Sequence, residues 1–404
     1  MKKEVPHLLP ALAAILICFG LLAGISFIAR ILEQNYVNAL APRGLKQGFI
    51  GIALQEAALK QPDLLPVFGT SEIYNEIDEN TAPTFFQSYP TGFTVFEVAS
   101  GGVASLEIAQ NLAALGPELK GKKVVISFTP SMFTIPEVPQ KSYAGDFSRL
   151  HANEMVFSPY ISLGLKQRAA SRMVDYPDTF ANDPVLGFAL QNLAGSSPVQ
   201  SFLYYLSVPI GRLQTQIIQL QDHWAVLTWL YSHPKDLQPV QHNASAIDWK
   251  AEIARAESTQ AALTSSNPYG IENNSWDAQT QQIFAKKFGP GSEDPYFIKD
   301  FTSSKEWEDF DIMLSVLKES GAQPLILSHP FNGTIMDAMG VDLTARQVFY
   351  TMLQKTVQPY GFPLVDFSDQ DGNRLFSIDQ FSHTSRVGWI YVDQALDVFY
   401  HVNN

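Results

Sequence analysis

Short apolar segments typical of buried β-strands alternate along this chain with segments that carry apolar residues at helical spacing. Strands joined through helices form crossover units, so the alternation predicts an α/β fold with a parallel sheet flanked by helices. In such sheets ligands bind beyond the carboxyl ends of the strands, and we expect the chemistry just after strands one, two, three and five. The predicted strands are Leu64–Phe68, Phe93–Val98, Lys123–Ser127, Pro324–Leu327 and Pro363–Asp366.

The stretch 131–300 interrupts this alternation. It is rich in aromatic residues, proline and amphipathic helical segments, including one near 206–232 and another near 247–263. We interpret it as a large, mainly helical insertion that covers the ligand crevice. The helical pattern resumes after it, where Ser303–Glu306 has the spacing of a capping box, and a last helix is predicted near 386–400.

An uncharged, mostly apolar run extends from Leu8 to Ala29. A helix needs about 20 apolar residues to cross the bilayer core, so we predict a transmembrane anchor over residues 1–30. The alternative is a signal peptide cleaved near Ala39–Ala41, but this site lies too far beyond the apolar run. Lys2 and Lys3 favour a cytoplasmic N-terminus, with residues 31–404 as an extracellular domain.

Composition excludes several classes of protein. The sole cysteine, Cys18, lies in the apolar run, so residues 31–404 have neither disulfides nor a cysteine-based metal site. A net charge of −13 argues against nucleic-acid binding. Dispersed histidines and missing phosphate-loop motifs predict neither a metal nor a nucleotide cofactor. An acidic group after strand one is expected to form a solvated helix face: Glu72, Glu76, Asp78 and Glu79.

A serine and a histidine fall at the positions where the predicted sheet would present chemistry. Ser71 follows strand one in a Gly-Thr-Ser-Glu turn, and His383 precedes the last helix with Asp379 nearby. A serine nucleophile needs a general base, and the base needs a carboxylate that orients it, so these residue types suit a catalytic triad. The alternatives are a helix-capping role for Ser71 and a surface or capping role for His383.

Several short motifs make the chain resemble the DltD family of SGNH-like hydrolases, which is involved in D-alanylation of lipoteichoic acid in Gram-positive bacteria. The resemblance covers nearly the whole chain and implies an SGNH/flavodoxin-like parallel sheet. The motifs are Phe68–Glu72, Ser100–Ser105, Thr129–Phe133, Asn267–Gly270, His329–Gly333 and His383-x4-Gly-Trp389.

The resemblance implies Ser71 as nucleophile, His383 as general base and a preceding aspartate as its orienting carboxylate. The family spaces the last two as Asp-x-x-His, which places Gln380 at the family position and Asp379 one residue earlier. Asp369 and Asp371 are the alternatives to Asp379. The backbone N–H groups of Ser71 and Gly102 are the expected oxyanion-binding donors. No asparagine follows strand three, so a third donor would be a serine or threonine.

The expected activity is acyl transfer through a D-alanyl-serine intermediate. The resemblance implies polyglycerol-phosphate lipoteichoic acid as the acceptor, a membrane-bound O-acyltransferase as partner and the D-alanyl carrier protein as an indirect partner. Two alternatives stay open: an exported esterase or thioesterase, in which water is the acceptor, and a non-catalytic scaffold for the acyltransferase.

Overall fold

A computed structural model describes residues 8–40, 51–73, 79–232, 246–287, 300–379 and 382–402. The strands are β1 Leu64–Gly69, β2 Thr94–Ala99, β3 Lys123–Phe128, β4 Gln323–Ser328 and β5 Leu364–Val365. The helices are α1 Leu8–Leu40, α2 Ala53–Lys60, α3 Ala82–Ser88, α4 Ser105–Leu115, α5 Gln140–Asp146, α6 Arg149–Phe157, α7 Leu163–Met173, α8 Pro184–Leu193, α9 Pro198–Ser232, α10 Trp249–Leu263, α11 Ala278–Lys287, α12 Glu306–Ser320, α13 Gly333–Ala338, α14 Leu343–Val357 and α15 Arg386–His401.

The five strands form one parallel sheet in the order β2-β1-β3-β4-β5. The predicted α/β fold with a parallel sheet flanked by helices is therefore confirmed. This strand order is that of flavodoxin-like sheets, in which the order reverses beside β1 and β3. The carboxyl ends of these two strands open a crevice at that point.

The sheet is buried on both faces because its strands are apolar at successive positions. Side chains alternate between faces along a strand. In β1, Val67 packs in the cluster that contains α3 and α15, whereas Phe68 packs in the cluster that contains α4 and α12. Such two-sided burial is typical of parallel sheets and explains the nearly continuous apolar runs.

Helices α5–α11 occupy the chain between β3 and α12, where the sequence predicts a mainly helical insertion. The predicted capping box at the start of α12 is wrong. Glu306 does not return to the backbone of Ser303, because its Oε1 accepts the N–H of Ser105 at 2.8 Å instead. A buried carboxylate thus joins the starts of α4 and α12.

The first helix runs from Leu8 to Leu40, past the predicted domain boundary at residue 30. Its second half packs on the rest of the chain: Val37 is buried, and Glu33 Oε1 lies 2.8 Å from His223 Nδ1 of α9. Among the residues that the structure describes, no helix is long and apolar enough to cross a membrane. The membrane anchor stays a prediction from the sequence.

Candidate active site

The turn after β1 presents Ser71 at the carboxyl edge of the sheet. The carboxylate of Glu72 folds back beneath this turn and accepts the N–H of Thr70 at 3.1 and 3.2 Å. Gly69 leaves room for that carboxylate, since a Cβ there would lie 2.6 Å from Glu72 Oε1. Strand, turn and buried carboxylate together hold Ser71 in a fixed place at the crevice.

Ser71, His383 and Asp379 form a continuous hydrogen-bonded chain. Ser71 Oγ lies 2.7 Å from His383 Nε2. On the other side of the ring, His383 Nδ1 lies 2.5 Å from Asp379 Oδ2, and the backbone N–H of His383 donates to Asp379 Oδ1 at 3.2 Å. A carboxylate that accepts from Nδ1 leaves Nε2 able to accept the serine proton. The structure thus brings together the three side chains that the sequence singled out.

The neighbouring aspartates lie elsewhere. Asp371 is buried in an ion pair with Arg346, and Asp369 is exposed. Gln380, which stands at the family position for the aspartate, lies outside the described residues. Among the described aspartates considered as the orienting carboxylate, Asp379 is the one in contact with His383.

Backbone contacts on both sides of the segment from Asp379 to His383 bring these two residues together despite the extra residue between them. The N–H of Ile378 donates to the carbonyl of His383 at 2.9 Å, and Ser377 pairs with Thr384 in an antiparallel bridge. Ser382 has a left-handed φ of 63°, which turns the chain back toward its start. The carboxylate therefore reaches the imidazole across the loop even though the spacing differs from that of the family.

A second histidine lies beneath the first. His329 is fully buried after β4, with Nε2 3.1 Å from Ser127 Oγ and Nδ1 3.2 Å from Thr384 Oγ1. Burial, with a smaller effect of the charge on His383, lowers the pKa of His329 to about 3. It is neutral at physiological pH and holds the strand end and the His383 loop together.

Glu72 corrects one expectation from the sequence. It has no exposed surface, so it is not part of a solvated helix face. Glu79 is exposed, whereas Glu76 and Asp78 lie outside the described residues. Burial raises the pKa of Glu72 despite its hydrogen bond from Thr70. Gly69 is the feature of the sequence that could have indicated the burial of Glu72, since a glycine before the nucleophile turn leaves space for a side chain that folds back beneath it.

The pKa of His383 is raised above its ordinary value of 6.5, chiefly because its ring N–H donates to the Asp379 carboxylate. Partial burial opposes this shift, and the Glu72 carboxylate adds to it. An imidazolium formed during catalysis would therefore be stabilised where it forms.

Gly102 lies beside the nucleophile turn, but its amide already has an acceptor. The Gly102 N–H donates to Thr70 Oγ1 at 3.1 Å, and Gly102 has a left-handed φ of 89°. This N–H could donate to a substrate oxygen only if its hydrogen bond to the threonine hydroxyl broke. After β3, the hydroxyls of Thr129 and Ser131 hydrogen-bond to each other at 2.5 Å. Within the described part of the chain, no group of three or more histidine, cysteine or acidic residues could hold a metal ion.

The fold and the site define an α/β protein with a serine–histidine–aspartate arrangement at the carboxyl edge of its sheet. Residues 44–401 match the sequence model of the family described as DltD protein, and the chain belongs to the DltD family. The family takes part in the D-alanylation of teichoic acid. The resemblance noted from the motifs is confirmed.

Three curated relatives, each called Protein DltD, cover most of the chain. The protein from Bacillus subtilis (strain 168) is 27% identical over 355 residues, which is 87% of this chain and 86% of the relative. The protein from Staphylococcus aureus (strain NCTC 8325 / PS 47) is 24% identical over 98% of this chain and 95% of its own length. The protein from Lacticaseibacillus rhamnosus is 20% identical over 83% of this chain and 77% of its own length.

Proposed function

We propose that this protein is a serine-dependent acyltransferase that carries D-alanyl groups to lipoteichoic acid. The observation that supports this proposal is the hydrogen-bonded chain from Asp379 through His383 to Ser71. A half-buried serine within 2.7 Å of an imidazole that is itself bonded to a carboxylate has the geometry of an activated nucleophile.

In the first step, Ser71 Oγ gives its proton to His383 Nε2 and attacks the carbonyl carbon of a D-alanyl ester or thioester. The tetrahedral intermediate collapses, the bond to the donor oxygen or sulfur breaks, and His383 returns the proton to that leaving group. The product is a D-alanyl-serine ester. Asp379 keeps the imidazole in the required tautomer and stabilises its charged form.

In the second step, a glycerol hydroxyl of lipoteichoic acid attacks the acyl-serine. His383 takes the proton of this hydroxyl, and Ser71 Oγ leaves and regains the proton from the imidazolium. The net change moves one acyl group from donor to polymer. We place this reaction on the outer side of a cell membrane, with residues 1–30 as the anchor, on the basis of the apolar run in the sequence.

The proposal is tested on the full-length chain with a fluorophosphonate probe, which reacts with activated serines, and intact-mass measurement. We expect a single adduct on the wild type and none on Ser71→Ala or His383→Ala. Ser88→Ala removes an exposed serine at the end of α3 and serves as the matched control, which should label like the wild type.

An unlabelled but folded wild type would contradict a self-sufficient nucleophile. The engaged amide of Gly102 favours the scaffold alternative in that case, because the site would lack one oxyanion donor. Cell-wall D-alanine in a Ser71→Ala strain then separates the two: loss of D-alanine supports a serine mechanism that needs its partner, and retention supports a scaffold. High hydrolysis of esters by the purified chain would instead support an esterase.

Helix α9 offers a surface for the membrane-bound O-acyltransferase that we propose as partner. Residues spaced by three, four or seven share one helix face. Along α9 this spacing gives an exposed apolar stripe on the side opposite the buried residues Tyr204 and Gly211. The stripe consists of Val199, Phe202, Leu206, Ile210, Leu213, Ile217, Trp224 and Tyr231. Continuous exposed apolar patches of this kind mark sites of association.

The double variant Ile210→Asp/Leu213→Asp should lose co-purification with the acyltransferase from detergent-solubilised membranes, because two charges would have to enter an apolar interface. Both side chains are more than half exposed, so the fold should be unaffected. The control Gln216→Asp adds a charge at an exposed position beside the stripe. Equal recovery of the partner with all three proteins would exclude the stripe as the docking surface.

A further inference from the structure

A cavity opens beside the Ser71 turn, between the carboxyl ends of β1 and β2 and the helix α4. Its empty space, including the part open to solvent, is about 390 Å³. Its lining combines apolar and acidic side chains, among them Val98, Val103, Glu107, Ile108, Asn111 and Asp146. The lining contains no lysine or arginine. Apart from His151, the charged and polar lining therefore offers acceptors and apolar contacts but no cationic side chain.

Glu107 is the unusual member of this lining. Its residue surface is 6% exposed, yet neither carboxyl oxygen has a hydrogen-bond partner among the described residues. The side-chain oxygen of Asn111 is also buried and likewise has no hydrogen-bond partner among the described residues. Buried polar atoms are nearly always paired, because leaving one unpaired costs free energy. The Asn111 oxygen and both oxygens of an ionised Glu107 are acceptors, so the group that satisfies them is a donor.

Asp146 brings a second carboxylate to the mouth of the cavity. Its Oδ1 accepts the hydroxyl of Ser100 at 2.6 Å. Its Oδ2 lies 3.6 Å from the position that a Cβ on Gly102 would take. The amide of Gly102 is hydrogen-bonded to Thr70, the residue before Ser71. This series of contacts places the carboxylate next to the nucleophile turn.

The basic groups near Glu107 in the described part of the chain do not stabilise its ionised form. The guanidinium of Arg172 is bonded to Asp309, with Nε 2.9 Å from Oδ1. His151, which also lines the cavity, is buried and its pKa is lowered to about 3, so it is neutral. Burial, with added repulsion from Glu306, raises the pKa of Glu107 well above its ordinary value. The raised pKa favours the protonated form of Glu107 in the empty cavity, and a bound cation would instead favour the ionised carboxylate.

We propose that this cavity binds the α-ammonium group of the D-alanyl substrate, with Glu107, Asn111 and Asp146 as acceptors for its three N–H bonds and with Val98, Val103 and Ile108 around its methyl group. The inference rests on the proposed function, since it names the substrate subsite of the same reaction. An α-ammonium is two bonds from the acyl carbonyl carbon, which matches a carboxylate placed beside the nucleophile turn. Charge-assisted hydrogen bonds of this kind are the strong ones.

Binding is measured by calorimetry on the full-length Ser71→Ala protein, so that no acylation occurs. D-Alaninamide carries the ammonium, and propionamide has the same shape without it. We expect D-alaninamide to bind at least about tenfold more tightly, and Glu107→Gln or Asp146→Asn to remove about tenfold of its affinity while leaving propionamide unchanged. The exposed Asp178→Asn is the matched control for loss of one negative charge. Equal binding of the two amides, or unchanged D-alaninamide binding in both cavity variants, would overturn the subsite.

A kinetic measurement on the protein with Ser71 intact separates the subsite from the proposed function. The p-nitrophenyl esters of D-alanine and propionic acid would each transfer their acyl group to Ser71 Oγ and release p-nitrophenolate. In Glu107→Gln, acylation by the D-alanyl ester should fall about tenfold and acylation by the propionyl ester should not change. Ammonium-dependent binding without acylation by either ester would refute the serine mechanism and keep the subsite. Acylation by both esters without a preference that depends on Glu107 would keep the mechanism and refute the subsite.

Discussion

Asp379→Asn should lower the rate constant for acylation of Ser71 by about 10⁴-fold while leaving the fold intact. The Asp379 carboxylate accepts from His383 Nδ1 at 2.5 Å. An asparagine can present its amide N–H₂ to that nitrogen, which favours the tautomer with its proton on Nε2. In that tautomer the nitrogen facing Ser71 can no longer accept the serine proton. The loss is measured as the rate of fluorophosphonate labelling.

The same variant should change the pH dependence of labelling. His383 acts as a base only when it is neutral, so the wild-type rate should fall as pH decreases through the raised pKa of His383. That pKa lies above 6.5 mainly because of the hydrogen bond to Asp379. Removing the carboxylate charge lowers the pKa, and the inflection of the remaining activity should move to lower pH. An unchanged rate and pH profile would show that another group orients His383.

Asp371→Ala should reduce the free energy of unfolding by about 3–5 kcal/mol, because it removes the buried carboxylate of the pair and leaves the buried guanidinium of Arg346 with only the exposed Asp337 as a counter-charge. Asp371 and Arg346 have side chains that are 4% and 3% exposed, and Arg346 Nη2 lies 2.7 Å from Asp371 Oδ1. The hydroxyl of Tyr350 also donates to Asp371, at 3.0 Å. The carbonyl of Asp371 accepts the N–H of Gly333 at 2.9 Å, so the pair joins the segment after β5 to the start of α13.

The effect of Asp371→Ala is measured by urea unfolding of the full-length protein, followed by circular dichroism. Asp369→Asn is the matched control: it lies two residues away, is exposed, and should change the unfolding free energy by less than about 0.5 kcal/mol. If Asp371→Ala unfolded like this control, the buried pair would not stabilise the fold.

Much of the sheet could be predicted because its signals are local. A strand buried on both faces is an apolar run, and all five strands begin and end within one residue of their predicted limits. The shortest strand is β5, which is reduced to Leu364–Val365 at the edge of the sheet. The positions of Ser71 and His383 followed from topology, since parallel strands deliver their carboxyl ends to one edge.

Burial of polar side chains could not be predicted in the same way. Glu72, Glu107 and Glu306 each stand in a sequence that also suits an exposed helix start. Each is buried because a segment far along the chain covers it, as the contact between Glu306 and Ser105 illustrates. The sequence shows which side chains can carry a charge, whereas the burial of such a side chain depends on the distant segments that pack against it.

The class of fold, the family and the candidate residues Ser71 and His383 could be predicted from the sequence, because strand periodicity, chain order and short motifs are properties of neighbouring residues. Only the folded chain shows which aspartate contacts His383, where the amide of Gly102 donates, and which carboxylates line the cavity. The first two are hydrogen bonds between residues 4 and 32 positions apart, and the bond from Ser71 to His383 joins residues 312 positions apart. Their geometry depends on how each loop closes, and loop closure is set by the packing of the whole domain.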